Sequence, residues 1–180
     1  MNRTDTHADA TVWLLEVIRV LFVCMGNICR SPTAHGVFRK LLQDHATDVL
    51  IEIDSAGTGD WHVGQPPDRR ATEAAGRRGV EISDLRARTV SDEDFEHYDY
   101  ILAMDELNLV TLRDQSPTEY HAKISLLMDF AGPPFNRNVP DPYYGGPAGF
   151  EQVLDLLEEA GRGLLRELEQ VARQPGRKRR

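Results

Sequence analysis

The stretch Val17–Cys24 reads Val-Ile-Arg-Val-Leu-Phe-Val-Cys, apolar and rich in β-branched side chains, with Arg19 its one charged residue. Nearly unbroken apolarity, without polar alternation, suits a strand covered on both faces in a parallel sheet. A tight loop follows, and Ser31-Pro32 then opens a pattern with Ala34, Val37, Phe38, Leu41 and Leu42 at helical spacing. Pro32 falls in the first helical turn, where its missing N–H removes no bond. Strand, tight loop, helix is the opening of a βαβ unit.

The alternation continues along the chain. Leu50–Ser55 reads as a second strand, Gly57–Pro67 as a long loop carrying Trp61, and Ala71–Arg78 as a helix stopped by Gly79. Tyr98–Met104 is a third strand followed by a helix over Glu106–Arg113, and Ala122–Leu127 is a fourth strand. A loop rich in Pro, Gly and Asn spans Gly132–Gly149. The last helix runs from Phe150 to about Arg173, with Val153, Leu154, Leu157, Leu164, Leu165 and Leu168 as its apolar stripe. The expected fold is α/β: one doubly wound, flavodoxin-like domain with a four-stranded parallel sheet, helices on both faces, and ligands at the carboxyl ends of the strands. Residues 17–173 form that domain, 1–16 a loose leader, and 174–180 a basic tail read as disordered.

Composition narrows the function classes. A length of 180 residues fits one domain. A formal net charge of −8 argues against nucleic-acid binding through a general basic surface. Two cysteines cannot make a disulfide scaffold. No apolar run approaches the ~20 residues needed to span a membrane. Glu16 and Arg19 interrupt the hydrophobic stretch near the N-terminus and no small-residue cleavage site follows, so a signal peptide is rejected and the cytoplasm is the default. A monomer or weak dimer is expected.

Both cysteines sit in one short segment, Cys24-Met25-Gly26-Asn27-Ile28-Cys29-Arg30-Ser31, where an α/β fold places a ligand. Gly26 and Asn27 tolerate positive φ, which lets successive backbone N–H groups turn inward around an anion. The helix after the loop adds its N-terminal partial positive charge. Arg30 supplies a planar fork able to hold two phosphoryl oxygens, which Lys would not reproduce. That electropositive nest favours the thiolate form of Cys24. Ser31 can donate its hydroxyl to the sulfur and help it leave. Met25, Gly26, Asn27, Ile28, Cys29 and Arg30 are therefore read as the phosphate cradle, with Cys24 as the nucleophile at its base. The bland alternative is two buried cysteines beside a solvated arginine. Arg six residues after a cysteine, followed by Ser, arises by chance about once in a hundred cysteines, and the strand-before, helix-after context makes it rarer. The Gly-x-x-x-x-Gly-Lys pattern of nucleotide-binding loops is absent, and no His or Cys cluster completes a zinc site.

The second element is Val139-Pro140-Asp141-Pro142-Tyr143-Tyr144. A thiolate attacking a phosphate monoester expels an alkoxide or phenoxide that needs a proton. Asp141, held between two prolines, is placed to give it, with aromatic neighbours favouring its protonated form. Tyr143 and Tyr144 can wall a slot for an aryl ring. Alone, Asp-Pro-Tyr-Tyr is as well read as a turn; paired with the loop at Cys24 it is read as the acid.

These stretches resemble the low-molecular-weight protein-tyrosine phosphatases. The likeness is carried by Val20–Pro32, Asp54-Ser55-Ala56-Gly57-Thr58 with Trp61, Ala103-Met104-Asp105 and Asp141-Pro142-Tyr143-Tyr144, from about Arg19 to the last helix. The resemblance implies hydrolysis of phosphotyrosine in proteins through a phospho-cysteine, with Cys24 as nucleophile, Arg30 as phosphate binder and Asp141 as acid and base. It also implies that Asn27 and Ser55 hold the loop in shape, that Ser31 supports the thiolate, and that Trp61, Tyr143 and Tyr144 flank the substrate ring. Met25 and Ile28 would lie on the pocket floor and walls, and Cys29 would join Cys24 in a reversible disulfide. No metal or organic cofactor is implied; phosphate and other oxyanions would inhibit. His35 departs from the pattern, standing where family members usually carry Glu.

Competing readings remain. An arsenate reductase on the same fold needs further cysteines, and both cysteines lie in the loop. A catalytically dead phosphate-binding module is disfavoured because nucleophile, arginine and acid are all present. Protein-arginine phosphatases are closer rivals, but usually carry Thr where this loop has Ile28, whose branched apolar group suits a flat aryl ring. Elsewhere, Asp129 lacks an aromatic-lined loop, His62 touches substrate or faces water with equal plausibility, Asp105 supports structure, and Glu151, Asp155, Glu158 and Glu159 read as the solvated face of the last helix.

Overall fold

A computed structural model describes residues 17–174; the leader of residues 1–16 and the tail beyond residue 174 lie outside the described residues. Four strands, β1 (Ile18–Cys24), β2 (Ile51–Gly57), β3 (Tyr100–Ala103) and β4 (Ile124–Leu126), pair in parallel in the order β2-β1-β3-β4. This is the doubly wound arrangement expected, and β1 lies inside the sheet with a neighbour on each side.

The strand pleat sends Val20 and Phe22 to one face and Leu21 and Val23 to the other. The first pair packs in a core with residues of α1 (Arg30–Asp44), α2 (Arg69–Arg77) and α5 (Pro147–Ala172). The second pair shares a smaller core with Phe95 of α3 (Asp92–His97) and Leu112 of α4 (Glu106–Gln115). Helices therefore cover both faces, and β1 is apolar throughout because it feeds two cores at once. Phe22 and Phe38 meet edge to face with ring centroids 5.8 Å apart, pinning α1 on the sheet directly behind the loop it follows.

Some boundaries differ from expectation, for local reasons. The third strand is confined to Tyr100–Ala103, because Tyr98 caps α3. The fourth is Ile124–Leu126, flanked by 3-10 turns over Thr118–Lys123 and Leu127–Phe130. The helix α3 was not expected. It is six residues long and its one buried apolar side chain, Phe95, leaves no helical stripe to read; its cap, Ser91 with Asp94 in a reciprocal capping box, was the available signal. The last helix starts three residues early, at Pro147, which occupies the first turn.

Two connections position the site at the carboxyl end of β1. The Met104 N–H donates to the Val23 carbonyl at 3.0 Å, and the Val139 N–H donates to the Met104 carbonyl at 2.8 Å, so the segment before Asp141 is stitched to the end of β3. On the other side, a Cβ on Gly57 would lie 2.7 Å from the Met25 carbonyl oxygen, so the end of β2 passes under the loop only because that residue is glycine. Among the described residues no helix is long and apolar enough to cross a membrane.

Candidate active site

The loop between β1 and α1 turns at Asn27, whose φ of 53° lies in the left-handed region, the one non-glycine residue there among those described. Asn is among the few side chains that tolerate it. Its amide is fully engaged. Nδ2 donates to Ser31 Oγ at 2.9 Å and to Ser55 Oγ at 3.0 Å, and Oδ1 accepts from the Arg88 N–H at 2.9 Å. These contacts join Asn27 and Ser55, expected to hold the loop, to Ser31, expected to support the thiolate. The loop backbone is tied outward as well: the N–H groups of Thr58 and Gly59 donate to the Cys24 and Met25 carbonyls at 2.9 Å each, and that of Asp68, at the start of α2, donates to the Ile28 carbonyl at 2.8 Å.

The Cys24 sulfur accepts from the Asn27 N–H at 3.3 Å and lies 3.1 Å from Ser31 Oγ. Ser31 has one hydroxyl hydrogen and a second acceptor in reach, the Ala56 carbonyl at 3.2 Å, so it supports the sulfur when it turns toward it. Cys29 is different. Burial first, then the charges of Asp68, Cys24 and Asp141, push its thiol up to about 12, so it stays protonated at neutral pH.

Arg30 is only 3% exposed. One terminal nitrogen donates to Asp105 Oδ2 at 2.6 Å and to the Val139 carbonyl at 3.1 Å, and the other to Asp141 Oδ2 at 3.3 Å. Burial works against its charge, but the Cys24 sulfur and the Asp105 and Asp141 carboxylates outweigh that and hold its pKa above the usual guanidinium value. Asp141 sits with a side chain 45% exposed. Its Oδ1 accepts from the Tyr143 N–H at 3.1 Å, and the charged group facing it is Arg30.

These residues meet at a cavity of about 310 Å³ lined by Cys24, Met25, Gly26, Ile28, Cys29, Arg30, Trp61, His62, Asp141, Tyr143 and Tyr144. Asn27, Ser31 and Ser55 stand behind the loop. Trp61 is 69% and Tyr144 94% exposed, so the aromatic wall is presented to solvent rather than consumed in a core. Tyr143 and Tyr144 pack edge to face at 4.9 Å. His62, left undecided by the sequence, lies over the loop: a Cβ on Gly26 would be 3.0 Å from its ring.

Other residues resolve similarly. Asp105 is an anchor for Arg30 and also caps α4, accepting from the Asn108 N–H at 2.7 Å. Asp129 is engaged by Arg137 at 3.0 Å. The acidic run on α5 is not simply solvated, because Glu151 and Glu158 hold Arg78, and Glu151 also Arg77, beside α2. His35 is buried with its Nδ1 lacking a hydrogen-bond partner, 3.9 Å from Asp54 Oδ1. Asp54 in turn holds Arg88 at 2.8 Å, the residue whose backbone bonds Asn27. Arg70 was missed; it joins Asp68 to the backbone of Tyr143.

The sequence profile of the family described as low molecular weight phosphotyrosine protein phosphatase matches residues 19–174. A low molecular weight protein-tyrosine-phosphatase of Bacillus subtilis is 41% identical over 149 residues, 83% of this chain and 94% of that protein. A crystal structure of a protein tyrosine phosphatase from Entamoeba histolytica, with Hepes in the active site, superposes with a TM-score of 0.82 at 43% identity, covering 86% of this chain and 98% of that one. A Drosophila arginine phosphatase structure superposes with a TM-score of 0.77 at 32% identity, covering 83% and 97%. The match spans nearly every described residue, loop and acid segment included, and the chain belongs to the low molecular weight phosphotyrosine protein phosphatase family.

Proposed function

We propose that the chain hydrolyses phosphotyrosine in proteins, with Cys24, Arg30 and Asp141 as its catalytic residues. The observation that supports this most strongly is the convergence of the Cys24 sulfur, the Arg30 guanidinium and the Asp141 carboxyl on one aromatic-walled cavity. In the first step the Cys24 thiolate attacks phosphorus in line. The phosphorus–oxygen bond to the aryl group breaks, and Asp141 gives its proton to the departing phenoxide. Arg30 and the loop N–H groups of residues 25–30 stabilise the equatorial oxygens as charge shifts. In the second step Asp141 takes a proton from water as that water attacks phosphorus, the sulfur–phosphorus bond breaks with support from Ser31, and inorganic phosphate leaves.

The incoming phosphoryl group competes with Asp141 for Arg30, so substrate binding frees the carboxyl from the ion pair at 3.3 Å. Trp61, Tyr143 and Tyr144 wall the ring, and Ile28, on the cavity lining, favours an aryl group over a guanidinium. An oxidant that converts Cys24 to a sulfenic acid would leave it to condense with the Cys29 thiol, with loss of water, as a reversible disulfide.

The experiment is a competition among phosphotyrosine, phosphoarginine and phosphoserine peptides, run alongside Cys24→Ser. Phosphotyrosine turnover should dominate, and Cys24→Ser should lower it by at least about a thousandfold. Full activity in Cys24→Ser would remove the nucleophile from the reading, and preferred turnover of phosphoarginine would replace the substrate class.

A further inference from the structure

We infer that Arg70 is a positioning residue for Asp141: it fixes the acid segment to the phosphate loop without touching substrate. The inference rests on the reading of Asp141 as the acid, and it names the residue that holds that acid in place.

Arg70 lies in the first turn of α2, and the donors of its guanidinium are divided between two elements. Nε and one terminal nitrogen grip the Asp68 carboxylate at 3.0 and 2.9 Å, while the other terminal nitrogen donates to the Tyr143 carbonyl at 3.0 Å. The guanidinium carbon also lies 5.4 Å from the ring centroid of Tyr143 and 5.0 Å from that of Phe150, in the first turn of α5. An exposed single ion pair contributes little and fixes little. A planar fork held by a carboxylate, a carbonyl and two rings is instead confined in direction as well as place, which a lysine ammonium would not be.

The contacts on either side make Arg70 the middle of a continuous path. The Asp68 N–H bonds the Ile28 carbonyl of the phosphate loop at 2.8 Å. Arg70 joins Asp68 to the Tyr143 carbonyl. The N–H of that same Tyr143 bonds the Asp141 carboxylate at 3.1 Å. Nucleophile loop and acid are thus set relative to each other through three residues, Arg70 in α2, Asp68 as the cap that precedes it, and Tyr143. The ion pair of Asp141 with Arg30 cannot serve this purpose during the reaction, because the phosphoryl group takes Arg30. Once that contact is given up, the Arg70 path is what keeps the acid over the leaving oxygen.

The test uses Arg70→Met, which keeps an apolar stem against Phe150 but removes the fork, and Arg70→Lys, which keeps the charge on a single donor nitrogen. Each is assayed for kcat/KM with aryl phosphates spanning good to poor leaving groups, alone and combined with Asp141→Ala. Arg70→Met should lose about tenfold on phenyl phosphate, the scale of one misplaced proton donor, and less than about twofold on a dinitrophenyl ester, whose phenoxide leaves without a proton. Arg70→Lys should recover part of the loss. In the Asp141→Ala background Arg70→Met should add nothing on phenyl phosphate. An equal loss across leaving groups, or a full additive loss beside Asp141→Ala, would overturn the positioning role. Should Asp141→Ala itself show no leaving-group dependence, it is the acid assignment that fails. Melting curves on both variants identify a loss that comes from unfolding, and a variant that melts near the assay temperature counts against a local role.

Discussion

Arg30 is a buried cation held by two carboxylates, Asp105 and Asp141, and its usefulness depends on which way its fork points. Asp105 decides that. One of its oxygens holds Arg30 at 2.6 Å while the other caps α4 at 2.7 Å, so the guanidinium is referenced to a helix end. Asp105→Asn keeps a cap acceptor and removes the charge-assisted bond, which is worth about 1.5–3 kcal/mol. The expected result is a loss of roughly 10- to 100-fold in kcat/KM that is the same for good and poor leaving groups, because phosphate binding precedes any demand for a proton. A loss confined to poor leaving groups would instead tie Asp105 to the acid. At this scale legibility followed sequence distance. Cys24 and Arg30 were readable because six residues separate them inside one loop, and Asp141 because prolines and tyrosines bracket it. Arg70 and Asp105 gain their roles from partners 73 and 75 residues away, and no local pattern announces such a contact.

Elements were legible where burial dictated composition. β1 serves two cores and could hardly be anything but apolar, so strand, loop and helix could be read from it together. Helix α3 hangs on Phe95 and a capping box, and the short 3-10 turns around β4 carry no period at all. The loop after β2 shows how a glycine sets a functional wall. A Cβ on Gly59 would lie 1.8 Å from the Trp61 ring, so the indole rests on that backbone. Trp61 is largely exposed and free to swing away, hence Gly59→Ala should leave stability nearly unchanged while moving the wall. KM for an aryl phosphate should rise about three- to tenfold, the equivalent of an aromatic contact of about 0.5–1.5 kcal/mol, whereas inhibition by inorganic phosphate should not move. Unchanged KM would mean the ring pocket does not use Trp61, and weakened phosphate inhibition would mean the loop itself was disturbed.

On the scale of the whole molecule, the departure at His35 becomes a statement about stability and pH. The ring is buried in α1 behind the phosphate loop, with Nδ1 unpaired and 3.9 Å from Asp54. Burial is the main cause that lowers its pKa below the ordinary imidazole value; Asp54 on β2 and Asp84 in the turn before Leu85 pull the other way, and Arg39 on the same helix adds to the lowering. A lowered folded-state value means that the unfolded chain binds the proton more readily. The stabilisation is therefore whole above the unfolded value of about 6.5 and is lost as pH falls below it toward the folded value. His35→Gln cannot take up that proton, so its melting temperature should fall less than the wild type's between pH 7.5 and 5.5. In a chain of this size each kcal/mol corresponds to about 2–4 °C, well within a calorimetric comparison. Equal falls in the two proteins would show that the proton goes elsewhere. A smaller fall in the wild type would mean that protonated His35 gains more from Asp54 than it loses by burial, reversing the sign. Because Asp54 also grips Arg88, whose backbone holds Asn27 in its left-handed turn, His35 stands three contacts from the residue that shapes the phosphate loop.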